Sequence, residues 1–156
     1  DLVERRQFNS STSNNTWRDS TLRTYLNGDW LESTTVLKEK AIETDITTRS
    51  QYNASTWITT TDKVFLLSKA DLCGTFNGTA TSNAQDYTYG NSVLVPDVNM
   101  RAHPSGITYF VRSPSGNTAR IAFMLADGTI NPPISTGYNV TVSTGIRPAM
   151  WVSLAS

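Results

Sequence analysis

The chain has 156 residues, with 13 Lys plus Arg against 13 Asp plus Glu; that size suits one domain, residues 1–156, around one core. The charge balance excludes the broad cationic field with which proteins hold nucleic acid or an anionic membrane surface. Charged residues are only 17% while Ser, Thr and Asn make up roughly a third of the chain, so hydroxyls and amides supply the solubility, a composition suited to β-rich surfaces on virus particles or outside cells.

The first residues, Leu2 to Phe8, are strand-like and carry no basic-then-apolar leader, so the chain reads as a fragment of a longer polypeptide. Beyond the polar tract Asn9 to Asn15, the spacing of Trp17, Leu22, Tyr25 and Leu26 predicts a helix. Asn15 or Thr16 is its expected cap and Asn27-Gly28 its left-handed stop. A short second helix is expected over Ser33 to Lys40, carrying Val36, Leu37 and Ala41, with strand following to Thr48. Asp62 to Leu67 reads as a strand. Ser68-Lys69-Ala70-Asp71 then reads as a capping box opening a short helix that Gly74 closes. Thr75 to Gly90 reads as a long loop packed by its own rings. The final third gives strands at Thr108 to Arg112, Ala119 to Ala126, Thr129 to Ile130, Tyr138 to Ser143 and Ile146 to Leu154, with Asp127-Gly128 the strongest hairpin turn. Helices early and antiparallel strands late define an α+β chain.

Catalytic chemistry finds little support. Nucleophilic hydrolysis needs a base beside its nucleophile, and the one histidine, His103, lies in the turn-like Arg101-Ala102-His103-Pro104-Ser105-Gly106 as an expected solvent-facing residue. One His and one Cys, thirty positions apart, do not make a zinc site. Cys73 follows a capped helix rather than opening one, so it is expected as a packed thiol. Asp62, Asp71, Asp86, Asp97 and Asp127 all read as turn or cap residues rather than paired glycosidase carboxylates. Calcium has only Asp97, Asn99 and nearby carbonyls to recommend it, without EF-hand spacing. No cofactor or metal is therefore expected, and no enzyme.

Arg112 and Arg147 sit among apolar residues, each followed closely by a proline, in Tyr109-Phe110-Val111-Arg112-Ser113-Pro114 and Gly145-Ile146-Arg147-Pro148-Ala149-Met150-Trp151. Burying an unpaired guanidinium is costly, so both are expected as structural rivets held by acids or loop carbonyls, alongside Trp17 and Trp151. On that reading Arg147→Ala costs about 3–5 kcal/mol.

Four motifs, Ser20-Thr21-Leu22-Arg23-Thr24-Tyr25-Leu26-Asn27, Phe65-Leu66-Leu67-Ser68, Phe110-Val111-Arg112-Ser113-Pro114 and Gly145-Ile146-Arg147-Pro148-Ala149, together resemble those of an uncharacterised family of bacterial and phage domains. The order of elements resembles the C-type-lectin-like fold of formylglycine-generating enzymes and of phage receptor-binding variable proteins, a likeness that transfers no activity. The chain departs from the family in having Tyr109 and Phe110, without tryptophan, before Arg-Ser-Pro, and in the extra piece Asn139 to Thr144. The resemblance implies a non-catalytic domain displayed on a virion or cell surface, binding a host surface glycan or protein. The alternative is a decoration or assembly domain touching neighbouring subunits of a particle or longer chain. The loops between late strands, Ser115 to Thr118, Asn131-Pro132-Pro133 and Tyr138-Asn139, mix rings with amides in the manner of binding loops. Tyr109, Asn117, Arg120, Asn131, Tyr138 and Asn139 are the expected ligand-binding residues.

Overall fold

The computed structural model describes residues 4–51, 54–73, 98–128 and 137–154. Short helices precede or punctuate short strands: α1 (Thr21–Tyr25), a π-helical turn (Leu26–Trp30), α2 (Thr35–Lys40), α3 (Lys69–Cys73) and α4 (Val98–Arg101). The strands are β1 (Arg5–Arg6), β2 (Ala41–Ile42), β3 (Thr44–Arg49), β4 (Trp57–Asp62), β5 (Phe65–Leu66), β6 (Tyr109–Pro114), β7 (Arg120–Met124), β8 (Tyr138–Asn139), β9 (Thr144–Gly145), β10 (Pro148–Ala149) and β11 (Trp151–Val152). The chain is mixed α+β, with mostly antiparallel sheets.

The main sheet runs β1-β9-β6-β7-β8, antiparallel except where β9 lies parallel to β6. Pairs β3–β4, β5–β10 and β2–β11 are separate two-stranded ribbons. The final strands therefore visit three sheets in succession: β9 joins the main sheet, β10 pairs with β5, and β11 pairs with β2. That stitching makes the end of the chain a structural tie.

Every residue of β6 is buried, because its two faces meet different apolar clusters. Phe110 packs with Phe8, Trp17, Leu22, Leu26 and Ile46; Tyr109 and Val111 pack with Leu72, Ala122 and Met124. The β3–β4 ribbon shows the period of two expected of a half-buried strand: Thr44, Ile46 and Thr48 face inward, while Asp45, Thr47 and Arg49 face Thr61, Thr59 and Trp57 across the ribbon. The outer face is joined by Thr47–Thr59 and Thr61–Asp45 hydrogen bonds and by Arg49 over the Trp57 ring.

Several expectations change. The cap of α1 is Ser20, whose hydroxyl accepts Arg23 N–H, so Trp17 precedes the helix. Gly28 has φ −113° and only kinks the helical run; it is no left-handed stop, because Asn27 is held by tertiary hydrogen bonds instead. Of the strand expected from Asp62 to Leu67, Asp62 ends β4 and Phe65–Leu66 form β5, with a bend at residues 63 and 64 between them. Tyr138 to Ser143 is strand only through Asn139, since the Asn139 side chain turns the backbone by accepting from Thr141 N–H at 3.0 Å. Gly128 does adopt φ +83° in the Asp127-Gly128 turn, while Thr129 and Ile130 lie outside the described residues.

Candidate functional site

Polar side chains of Ser20, the cap of α1, Arg23 within it and Asn27 in the π-helical turn that follows point inward, and each closes something. Arg23 Nε donates to Asp62 Oδ1 at 2.7 Å, while Trp17 Nε1 and Thr60 Oγ1 donate to Asp62 Oδ2 at 2.8 and 2.7 Å. Asp62 at the end of β4 is thus a buried hub tying the N-terminal segment to the β3–β4 ribbon. Asn27 accepts both Lys63 and Val64 N–H at 2.9 Å and donates to Val64 O at 2.7 Å, which clamps the turn between β4 and β5. These roles escaped the sequence reading. The detectable signal was a polar stripe at positions i, i+3 and i+7 on a helix with an apolar face.

Arg112 is fully buried. Its Nε donates to Thr48 Oγ1 at 2.9 Å and one terminal nitrogen donates to Leu66 O at 2.7 Å and Asp71 Oδ2 at 2.8 Å. Asp71 also accepts Ser68 N–H, and Ser68 Oγ accepts Asp71 N–H, so the anticipated capping box exists and doubles as the counter-ion. Ser113 Oγ accepts Lys69 N–H at 3.0 Å. The arginine, serine and acid thus fasten α3 to β6.

Arg147 is half-buried and meets carbonyls. One terminal nitrogen donates to Arg101 O at 2.9 Å and Ala102 O at 3.3 Å, at the end of α4, where a cation complements the helix dipole. Tyr109 Oη donates to the same Arg101 O at 2.6 Å. His103 packs against the Tyr109 ring at 5.9 Å and is half-buried rather than solvent-facing. Burial, followed by the charge of Arg147, pushes its imidazole below the ordinary histidine value.

The expected ligand residues divide. Asn117, Arg120, Tyr138 and Asn139 lie together at the β7–β8 end of the main sheet, where Arg120 pairs with Asn139 and Ile121 with Tyr138. Asn15 Nδ2 donates to Asn117 O and Arg120 O at 2.9 and 2.7 Å, fixing the β6–β7 loop from below. Arg120 donates to Gly137 O at 2.7 Å, and Tyr138 stacks on Phe123 at 4.0 Å. Tyr109 is a correction: it is 2% exposed and pairs with Met124 at the opposite end of β6, so it does not flank those loops. Trp17 is buried, whereas Trp151 is a strand residue paired with Ile42 and 44% exposed. Asn131, Asp97, the Thr75 to Gly90 loop and the Cys73 side chain lie outside the described residues. Among the described residues no group of three metal-ligating side chains gathers, and no helix is long and apolar enough to cross a membrane.

Fold and site together define a mixed α+β scaffold in which interior charged groups fasten loops and helix ends. Residues 1–154 match the family described as Domain of unknown function (DUF6273). The chain belongs to that family. No curated protein and no solved structure matches it.

Proposed function

We propose that this is a non-catalytic binding domain of C-type-lectin-like design, displayed on a phage particle or cell surface, whose late-strand loops recognise a host surface glycan or protein. The supporting observation is the division of labour at the β7–β8 edge. Asn15 immobilises the loop backbone from within, while Gly116, Asn117 and Thr118 stay exposed; a loop held from below presents its amides and hydroxyls at low entropy cost. Glycan-array and host-cell binding by the isolated chain tests this, with Thr118→Arg as the probe, since it blocks the loop tip without removing a described hydrogen bond. Binding lost in that variant supports the reading. Absence of binding across glycans and hosts overturns it.

One observation favours an assembly role as the second reading. Helix α2 buries none of its residues, and Val36, Leu37, Ile42, Val152 and Leu154 are exposed around the β2–β11 ribbon. Exposed apolar groups so placed suit a neighbouring subunit. Electron microscopy of a particle carrying the domain separates the two readings by whether this face or the loop edge meets other subunits.

A further inference from the structure

Arg5, Arg6 and Gln7, with Thr21 and Tyr25 of α1 and Ser143 ahead of β9, line a cleft of about 280 Å3, at the small end of ligand pockets. Two arginines and no acidic residue are among its lining residues. Arg6 is already positioned: its guanidinium lies 3.3 Å from the centre of the Tyr25 ring and its Nε donates to Glu4 Oε1 at 2.6 Å. Tyr25 Oη donates to the same oxygen. Burial raises the affinity of Glu4 for a proton, but the hydrogen bonds from Tyr25 and Arg6 outweigh it and hold the carboxyl below its ordinary range, so Glu4 stays ionised. It neutralises one cation from outside the cleft.

Arg5 is exposed and forms no ion pair among the described residues. The remaining lining is neutral, polar apart from Leu22 and the Tyr25 ring. Gln7 Nε2 donates to Thr141 O at 2.7 Å, leaving its oxygen to accept; Thr21 Oγ1 accepts Ser10 N–H at 3.1 Å, leaving its proton to donate. One surplus cation beside a fixed guanidinium, ringed by hydroxyl and amide groups, matches a single anionic group on a polyhydroxylated molecule.

We propose that this cleft binds an acidic saccharide, with a ring carboxylate on Arg5 and the terminal nitrogens of Arg6 and sugar hydroxyls on Thr21, Ser143 and Gln7. Guanidinium forks suit planar oxyanions. A nucleic acid would call for a stripe of cations, and the chain has net charge zero. An acidic peptide would join as an added strand, and the β1 edge is two residues long. The cleft shares no residue with the β7–β8 edge, so it stands independently of the loop reading.

The test is calorimetric titration of the whole chain with a trigalacturonate, its neutral methyl ester, hexaglutamate and sodium sulfate. The trisaccharide should bind and the ester should bind about tenfold more weakly or worse, the scale of a lost charge-assisted hydrogen bond. Arg5→Gln should lose a similar factor, about tenfold, with its melting temperature unchanged because Arg5 is exposed. Added salt should weaken binding, and Thr118→Arg should leave it intact. No binding of the trisaccharide, equal binding of the ester, indifference to Arg5→Gln, or equally tight binding of hexaglutamate or sulfate would each overturn the assignment.

Discussion

Arg112 and Arg147 are each followed within two residues by a proline, yet the fold treats them differently. Arg112 has no solvent exposure and meets the carboxylate of Asp71, itself buried. Arg147 is half-buried and meets neutral groups: backbone carbonyls at the end of α4 and, more distantly, the Tyr109 hydroxyl. The depth of burial and the kind of partner go together. A fully desolvated guanidinium requires a counter-charge, whereas one that keeps water on part of its surface is satisfied by dipoles. In the sequence both arginines carry the same weight; the partners separate them.

The largest effect expected from this contrast is at Arg112. Arg112→Ala leaves Asp71 buried without its counter-ion and Thr48 and Leu66 O without a donor, and should cost about 3–5 kcal/mol in chemical denaturation. The contrast sharpens in the double variant Arg112→Met/Asp71→Leu, which removes both charges together. It should be more stable than Arg112→Ala, by less than full recovery because Asp71 also caps Ser68 N–H. A single variant within about 1 kcal/mol of the parent, or a double variant no better than the single, would remove charge pairing as the reason for the arrangement.

Gly145, two residues before Arg147, comes next. A Cβ there would lie 2.5 Å from Ile107 Cδ1 and 2.7 Å from Thr108 O, because β9 approaches β6 closely enough for Gly145 N–H to reach Thr108 O at 3.1 Å. Gly145→Ala should cost about 1–3 kcal/mol, typical of overpacking. Trimming Ile107 to Ala in the same chain should recover only part of this, because the carbonyl is backbone and has no rotamer to adopt. Full recovery would place the tightness of this corner in the side chain rather than in the strand pairing.

The legible parts of the fold were those whose signal is local. The Ser68–Asp71 capping box, the positive φ of Gly128, the short helix ending at Lys40 and the central strand at Tyr109 all follow from spacing within a few residues. The stop at Asn27-Gly28 does not form because Asn27, besides donating to Arg23 O of its own helix at 3.1 Å, answers to Lys63 and Val64, far along the chain. Strand β4 was obscured because its threonines are hydrophilic by composition yet β-branched, and a ribbon with one solvated face tolerates them. At the candidate site, Asn117, Arg120, Tyr138 and Asn139 converge because strand pairing brings neighbouring hairpins together. Tyr109 does not join them, because it opens β6 and pairs with Met124, at the end of the strand away from those hairpins.

The smallest effect belongs to Arg147, and the same variant reads out His103. Removing hydrogen bonds to neutral carbonyls at a half-buried position should cost about 1–2 kcal/mol, below the 3–5 kcal/mol expected from full burial of an unpaired charge. His103 carries the finer test. Burial and the nearby Arg147 charge hold its folded value below the ordinary 6.5, so in weakly acidic solution the unfolded chain binds more protons than the folded one. Stability linked to this residue is therefore complete above pH 6.5 and declines as pH falls below it. Arg147→Ala removes the like charge, so the folded midpoint should move upward and the decline become shallower. Because His103 is the only histidine, its imidazole resonances give both midpoints directly by NMR titration. A parent midpoint at or above 6.5, or one unmoved by Arg147→Ala, would mean that the two rings and the guanidinium are not packed at the end of α4 as described. The contrast with Arg112 would then lose its half-buried member.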